Sequence, residues 1–310
     1  MTSLLPAVDG SGATRKPKDG TRRPKRPHPA AAHLPPDRKL GSSRQALHRP
    51  PHAILHSSVS PRPTTNKAEI RRRLNRDRDW SLYALADLDD GMFEHCDWLA
   101  LGDSLALVFR AIAIRPIFVL GDAASARALL AALPHDSGYL NLKPDQLAAA
   151  RGIFEYRECH EMCRMILEDF VPRDGATEAL TSANLAEIEQ LYASSDGGGI
   201  AFAPFQLATG LFRGIRRGGR LVSVGGVQVV SRQESVAACG NIFTHPNYRG
   251  EGLAQTVTSA VVLALRRAGI ATIGLNVAAA NAAAIRAYER IGFRTRCRYF
   301  EGPAVREASG

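Results

Sequence analysis

His245-Pro246-Asn247-Tyr248-Arg249-Gly250-Glu251-Gly252-Leu253-Ala254 is the stretch whose reading decides the fold. The apolar residues that follow it, Leu253, Val257, Val261, Ala264 and Leu265, fall on one helical stripe, closed by Arg266, Arg267 and Gly269. The run is therefore a strand-to-helix turn. A helix start leaves about four amide N–H groups without intrahelical partners and carries roughly half a positive charge. Gly250 and Gly252 let a ligand approach that backbone, and Arg249 sets a cation beside it. Amides of Gly250, Glu251, Gly252, Leu253 and Ala254 with one guanidinium are what a diphosphate needs.

Working outward, Leu211–Arg216 and Arg220–Ser231 read as antiparallel strands joined by Arg217-Gly218-Gly219, and Ser235–Thr244 as the strand entering the turn. Ala271–Val277 is a buried strand, Asn281 opens a helix to Arg290, and Phe293–Phe300 is a final strand. Upstream, Thr181-Ser182-Ala183-Asn184 caps a helix from Leu185 to Tyr192, and Ser195–Gly199 is a glycine-rich loop. Before the turn-rich Pro172-Arg173-Asp174-Gly175, strands are expected at Ser81–Leu85, Leu105–Ile112, Pro116–Leu120 and Tyr139–Leu142. Helices are expected at Ala123–Leu133 and Asp145–Arg151, after a helical lead-in from Lys67 to Asp79. Glu155–Asp169 has no clear period. Strands alternating with helices indicate an α/β class, here an α+β mixed sheet.

Three segments follow: a basic, proline-rich tail at 1–66, an α/β half at 67–172 and a second unit at 173–310. The tail holds eleven of the eighteen prolines, no aromatic residue, and nine of the chain's ten net positive charges. It cannot bury enough apolar surface to offset ordering entropy, so disorder is expected. With the remainder near neutral and no aromatic stacking groups in the tail, a nucleic-acid-binding protein is the weakest reading; it would predict binding that falls steeply with salt. No basic segment leads into an apolar signal core, and no stretch reaches the length of a membrane span, so a cytoplasmic protein without a membrane partner is expected. Five scattered cysteines argue for reduced thiols. Cys159, His160 and Cys163 lack a second ligand pair at zinc spacing, so no metal is expected.

Asn281 and Tyr288 lie seven apart, hence on one helical face with Ala284 between them. Asn281 can cap its helix while reaching a ligand. Tyr288 is either a packed aromatic or, with a phenol pKa near about 10, a proton donor. Asn276 either faces an acceptor or satisfies backbone groups where strands part. No general base is assigned: Glu234 falls in a hairpin turn, and Asn241 and Cys239 are unsuitable.

The order of these elements, with THPNYRGEGLA at 244–254 and LNVAAANAAAIRAYERIGF at 275–293, resembles the GNAT family of acyl-CoA-dependent N-acyltransferases over roughly Thr177–Glu301. The resemblance implies that the turn wraps the pyrophosphate of the acyl donor, acetyl-CoA. It further implies that main-chain groups of Phe243 and Thr244 pair with the pantetheine arm, and that Tyr288 is the general acid. An acetyl group would then pass by direct attack to a primary amine of unassigned identity. A catalytically silent acyl-CoA sensor is the alternative; the protein would be a monomer or homodimer. Residues 67–172 more weakly resemble the partner half of glycine N-acyltransferase-like proteins, as a degenerate copy without a second coenzyme turn: Gly121-Asp122 lacks the arginine and would repel phosphate.

Overall fold

The computed structural model describes residues 60–195, 199 and 201–308. The expected disorder of the tail falls outside these residues for 1–59, as does most of the glycine-rich loop at 196–198 and 200. Residues 60–66 depart from the expectation. Arg62–Pro63 forms a short strand (β1), and Asn66 caps the first helix by accepting from the Glu69 amide at 3.1 Å.

The elements in chain order are α1 (Lys67–Leu74), α2 (Leu82–Ala86), β2 (Cys96–Leu101), β3 (Ser104–Phe109), β4 (Pro116–Leu120), α3 (Ala123–Ala132), β5 (Ser137–Leu142), α4 (Pro144–Ala150), β6 (Phe154–Tyr156) and β7 (His160–Leu167). There follow β8 (Glu178–Leu180), α5 (Leu185–Tyr192), β9 (Phe212–Arg217), β10 (Arg220–Ser231), β11 (Val236–Thr244), α6 (Leu253–Arg267), β12 (Thr272–Ala278), α7 (Ala282–Arg290) and β13 (Phe293–Arg306). Most strands match their sequence expectation. Ser81–Leu85 does not: it belongs to a helix. Leu82, Ala84, Leu85 and Ala86 are all buried there, and a short run that is apolar on every side shows neither a period of 2 nor of 3.6.

The thirteen strands among the described residues belong to one mixed sheet, in the order β1-β2-β3-β4-β5-β13-β7-β12-β11-β10-β9-β8, with β6 beside β13. Among the described residues, only β4–β5 and β11–β12 pair in parallel. β13 begins on β7 and ends on β5, and β7 stands between β12 and β13. The segments on either side of residue 172 are thus interleaved in one sheet.

Alternation along β11 sends Val236 and Ala238 to one face and Ala237 and Cys239 to the other. The first face packs against α1 and α2 around Trp80, whose indole donates to Val119 O at 2.9 Å. The second packs against α6 and α7. Leu253, Val257, Val261 and Leu265 of α6 are buried, at roughly 1.5–3 kcal/mol each. This packing fixes α6 over the sheet and so fixes where its N-terminus points.

Candidate active site

β11 and β12 pair from Val236/Thr272 to Cys239/Leu275 and then part. Two irregularities in β10 and a left-handed backbone at Asn241 (φ +55°) accompany the parting. Tyr192 fixes this strained residue by donating its hydroxyl to Asn241 O at 2.9 Å. Beyond Cys239, the edge of β11 that faces β12 has no strand partner. The opening holds a cleft of about 250 Å³ lined in part by Tyr192, Gln228, Cys239, Asn241, Phe243, Asn276 and Tyr288.

At the end of β11, Pro246–Tyr248 makes one 3-10 turn, held by the His245 ring nitrogen accepting from the Asn247 amide at 3.2 Å. Gly250 (φ +89°) and Gly252 (φ +80°) then reverse the chain into α6. Both conformations are costly for any side chain. Among the described residues, the amides of 250–254 donate to no protein acceptor. Arg249 is exposed at their side; its Nε donates to Thr244 O at 3.2 Å and its guanidinium lies 5.8 Å from the centre of the Phe243 ring. Glu251 is exposed.

The remaining sequence-predicted residues converge from α7 and β12. Asn281 caps α7 by accepting from the Ala284 amide at 3.0 Å, and Ala284 is half-buried against the core beneath. Tyr288 is 8% exposed, packs edge-on to Phe293 at 6.2 Å and lines the cleft. Burial, and then neighbouring Cys239, raise its phenol above the ordinary value of 10.0. The Cys239 thiol is likewise pushed up to about 12 by burial and stays neutral near pH 7.

Asn276 Oδ1 accepts from Arg164 Nε at 2.7 Å. Arg164 escaped the sequence reading, although one arginine inside the apolar run Met162–Leu167 of β7 was a signal. It is 3% exposed and donates to Trp80 O at 2.6 Å, with the Trp80, Tyr83 and Tyr299 rings 5.1, 4.8 and 5.4 Å away. Tyr83 in turn donates to Gln228, a second polar wall residue missed inside a valine-rich strand. The segment before residue 172 therefore orients two side chains of the cleft. Among the described residues, none of those lining the cleft is Asp, Glu, Lys, Arg or His. Glu234 is taken up by Arg71, whose Nη2 stands 2.6 Å from its Oε1. Asp122, at the corresponding turn upstream, caps α3 by accepting from the Ser125 amide at 2.7 Å.

A glycine turn feeds a long helix beside two parting parallel strands, and this arrangement is shared with solved structures of the GNAT fold. Residues 176–293 match the Acetyltransferase (GNAT) family. Over 105 residues the chain is 32% identical to the ribosomal protein bS18-alanine N-acetyltransferase of Escherichia coli K12, covering 34% of this chain and 62% of that relative. It thus spans under two thirds of the length of the curated relatives it matches. A GNAT-family protein from Novosphingobium aromaticivorans superposes with a TM-score of 0.52 at 23% identity, over 74% of this chain and 99% of that one. A GCN5-related N-acetyltransferase from Kribbella flavida gives 0.52 at 14% identity, over 75% and 95%. These overlays extend well beyond residues 176–293, so the shared fold includes strands from the upstream segment. The family uses acetyl-CoA and an amine acceptor. Among the described residues, no helix is long and apolar enough to cross a membrane.

Proposed function

We propose that the chain transfers an acetyl group from acetyl-CoA to a primary amine by direct attack. The observation that carries this reading is the junction of two features: the parting of β11 and β12 opens beside amides 250–254 and Arg249. A diphosphate fits the turn, and an extended amide arm fits the unpaired edge of β11 at Phe243 and Thr244. Asn281 and Ala284 border that arm, and Asn276 faces the acceptor side. We assign the protein to the cytoplasm, as a monomer or homodimer, and read 67–172 as a degenerate half that completes the acceptor wall.

The donor supplies an activated thioester carbonyl; transfer forms the C–N bond, breaks the C–S bond and leaves a thiolate. We assign Tyr288 as the acid that protonates that sulfur; burial keeps its phenol in the acid form at neutral pH. Cys239, neutral and buried, is a poor nucleophile, which favours direct transfer over an acyl-enzyme. We infer that the amine arrives unprotonated or loses its proton to water; among the described residues no carboxylate or imidazole lines the cleft.

The lack of a carboxylate or imidazole among the described lining residues favours a second reading, a sensor that binds acyl-CoA without turnover. Incubation with acetyl-CoA and an amine panel, following free thiol, separates the two when paired with calorimetry. Thiol release dependent on an amine supports the transferase. Tight binding with no transfer to any amine supports the sensor.

A further inference from the structure

Two amide side chains of the cleft wall are held by their oxygens. Asn276 Oδ1 accepts from Arg164 Nε at 2.7 Å, and Gln228 Oε1 accepts from the Tyr83 hydroxyl. A guanidinium only donates, so the Asn276 amide can stand only one way round. Neither amide nitrogen donates to a protein acceptor among the described residues, and neither is sealed from solvent. Both residues line the cleft, so each turns an N–H2 group toward it. An ammonium brings three donors and no acceptor, whereas an uncharged amine offers a lone pair.

Behind Asn276 stands a full charge. A guanidinium keeps its proton in proteins, and Arg164 is 3% exposed. At a separation of about 7 Å and an effective dielectric of about 20, one such charge disfavours a bound ammonium roughly fiftyfold.

The groups packed around Arg164 do not cancel it at the cleft. β7 stands between β12 and β13, so Arg164 lies on the cleft side of Glu301. Burial pushes the Glu301 carboxyl up, and the Tyr299 and Tyr139 hydroxyls donate to it at 2.8 and 3.3 Å. Asp79 is engaged by Arg296 at 3.0 Å, and Lys143 by Asp77 at 2.6 Å. Burial raises the phenols of Tyr83, Tyr192 and Tyr288 and the thiols of Cys239 and Cys297, so these stay uncharged near pH 7.

We propose that Arg164 is a positioning residue that makes the cleft admit the acceptor amine only in its uncharged form. It holds Asn276 with the donor forward, and it repels an ammonium. The assignment rests on the transferase reading, and under it the amine leaves its extra proton in solvent before entry. Attack then forms the C–N bond and breaks the C–S bond. The surplus proton on nitrogen passes to water, Tyr288 supplies the proton on sulfur, and water restores Tyr288, so the exchange balances.

Steady-state kinetics on the full chain test this, with saturating acetyl-CoA and each primary amine that releases thiol in the panel above. If only uncharged amine enters, KM for total amine falls roughly tenfold per pH unit below the amine's own pKa while kcat stays level. We expect that split in the parent. In Arg164→Met, KM should become nearly independent of pH, and the pH dependence should move into kcat. A level KM with rising kcat in the parent overturns the proposal, as does an Arg164→Met variant that keeps the parent's split. Should that variant fail to fold, the parent in high salt decides. A charge 3% exposed is barely screened, so the slope of KM should persist; a slope that collapses belongs to surface charges and overturns the assignment. If no amine releases thiol, the transferase reading falls and takes this assignment with it, whereas transfer with a level KM overturns this assignment alone.

Discussion

Arg164 on β7 donates through Nε to Asn276 Oδ1 on β12 at 2.7 Å, and this bond carries order from the upstream segment into the cleft wall. The guanidinium is 3% exposed and has no carboxylate partner within salt-bridge distance among the described residues. It is surrounded instead by the Trp80 and Asp79 carbonyls, Asn276 and three aromatic faces.

Arg164→Met should destabilise the protein by about 1–3 kcal/mol, because it leaves the Trp80 carbonyl and the Asn276 oxygen without their donor. Asn276→Ala should cost at least as much, since it strips a partner from a buried charge. Their combination should cost less than the sum, read from denaturant midpoints in a double-mutant cycle. Additive costs would show that the bond contributes nothing.

Tyr288→Phe should lower turnover roughly 10²-fold or more while coenzyme binding, followed by calorimetry, is kept. Its raised pKa adds a pH signature. The phenol stays protonated throughout the neutral and mildly alkaline range, so turnover should not fall on the alkaline side until above the ordinary phenol value. It should instead rise with pH as the acceptor amine loses its proton. An alkaline decline near pH 8 that disappears in the Phe variant would contradict the assignment of the acid.

Arg249→Ala should weaken acetyl-CoA binding by about tenfold, the loss of one charge-assisted contact, with turnover at saturation little changed. Gly252→Ala should do more. It sets a Cβ 2.7 Å from Arg173 Nη2 at φ +80°, costing roughly 1–2 kcal/mol of backbone strain and displacing the guanidinium. Affinity for acetyl-CoA measured on both variants ranks them.

Asp87, at the C-terminal end of α2, has its carboxyl pushed up to about 7 by burial and then by nearby Asp89. A carboxyl raised in the folded state stabilises below its unfolded value, and that contribution is lost as pH rises toward 7. Asp87→Asn should therefore gain stability relative to the parent between about pH 4 and 7, by on the order of 1 kcal/mol or more, and hold that gain at higher pH. Melting curves across that range would refute the buried-carboxyl reading if the gap stayed constant.

Much of this was legible in the sequence where local physics acts alone. The turn from His245 to Ala254 announces itself through two glycines and a periodic helix, and Asn281 does cap α7. The strand at Pro116–Leu120 is bounded as expected, because its apolar run ends at Gly121. Arg164, Tyr83 and Gln228 were not legible as site residues, since their roles come from pairings 112 and 145 positions apart in the chain. The placement of β7 between β12 and β13 is equally a long-range outcome: neither its eight residues nor its neighbours in sequence name a partner.

The interleaving of β7 and β13 also sets a timetable for synthesis. β5, β6 and β7 are all made by residue 167, yet the strand that seals them spans residues 293–306. Until that last ribbon leaves the ribosome, three edges stay open to foreign strands, and contacts of such sequence separation form slowly. Shortening the chain before residue 293 would leave a nascent product prone to clumping, with the crevice between β11 and β12 missing one of its supports.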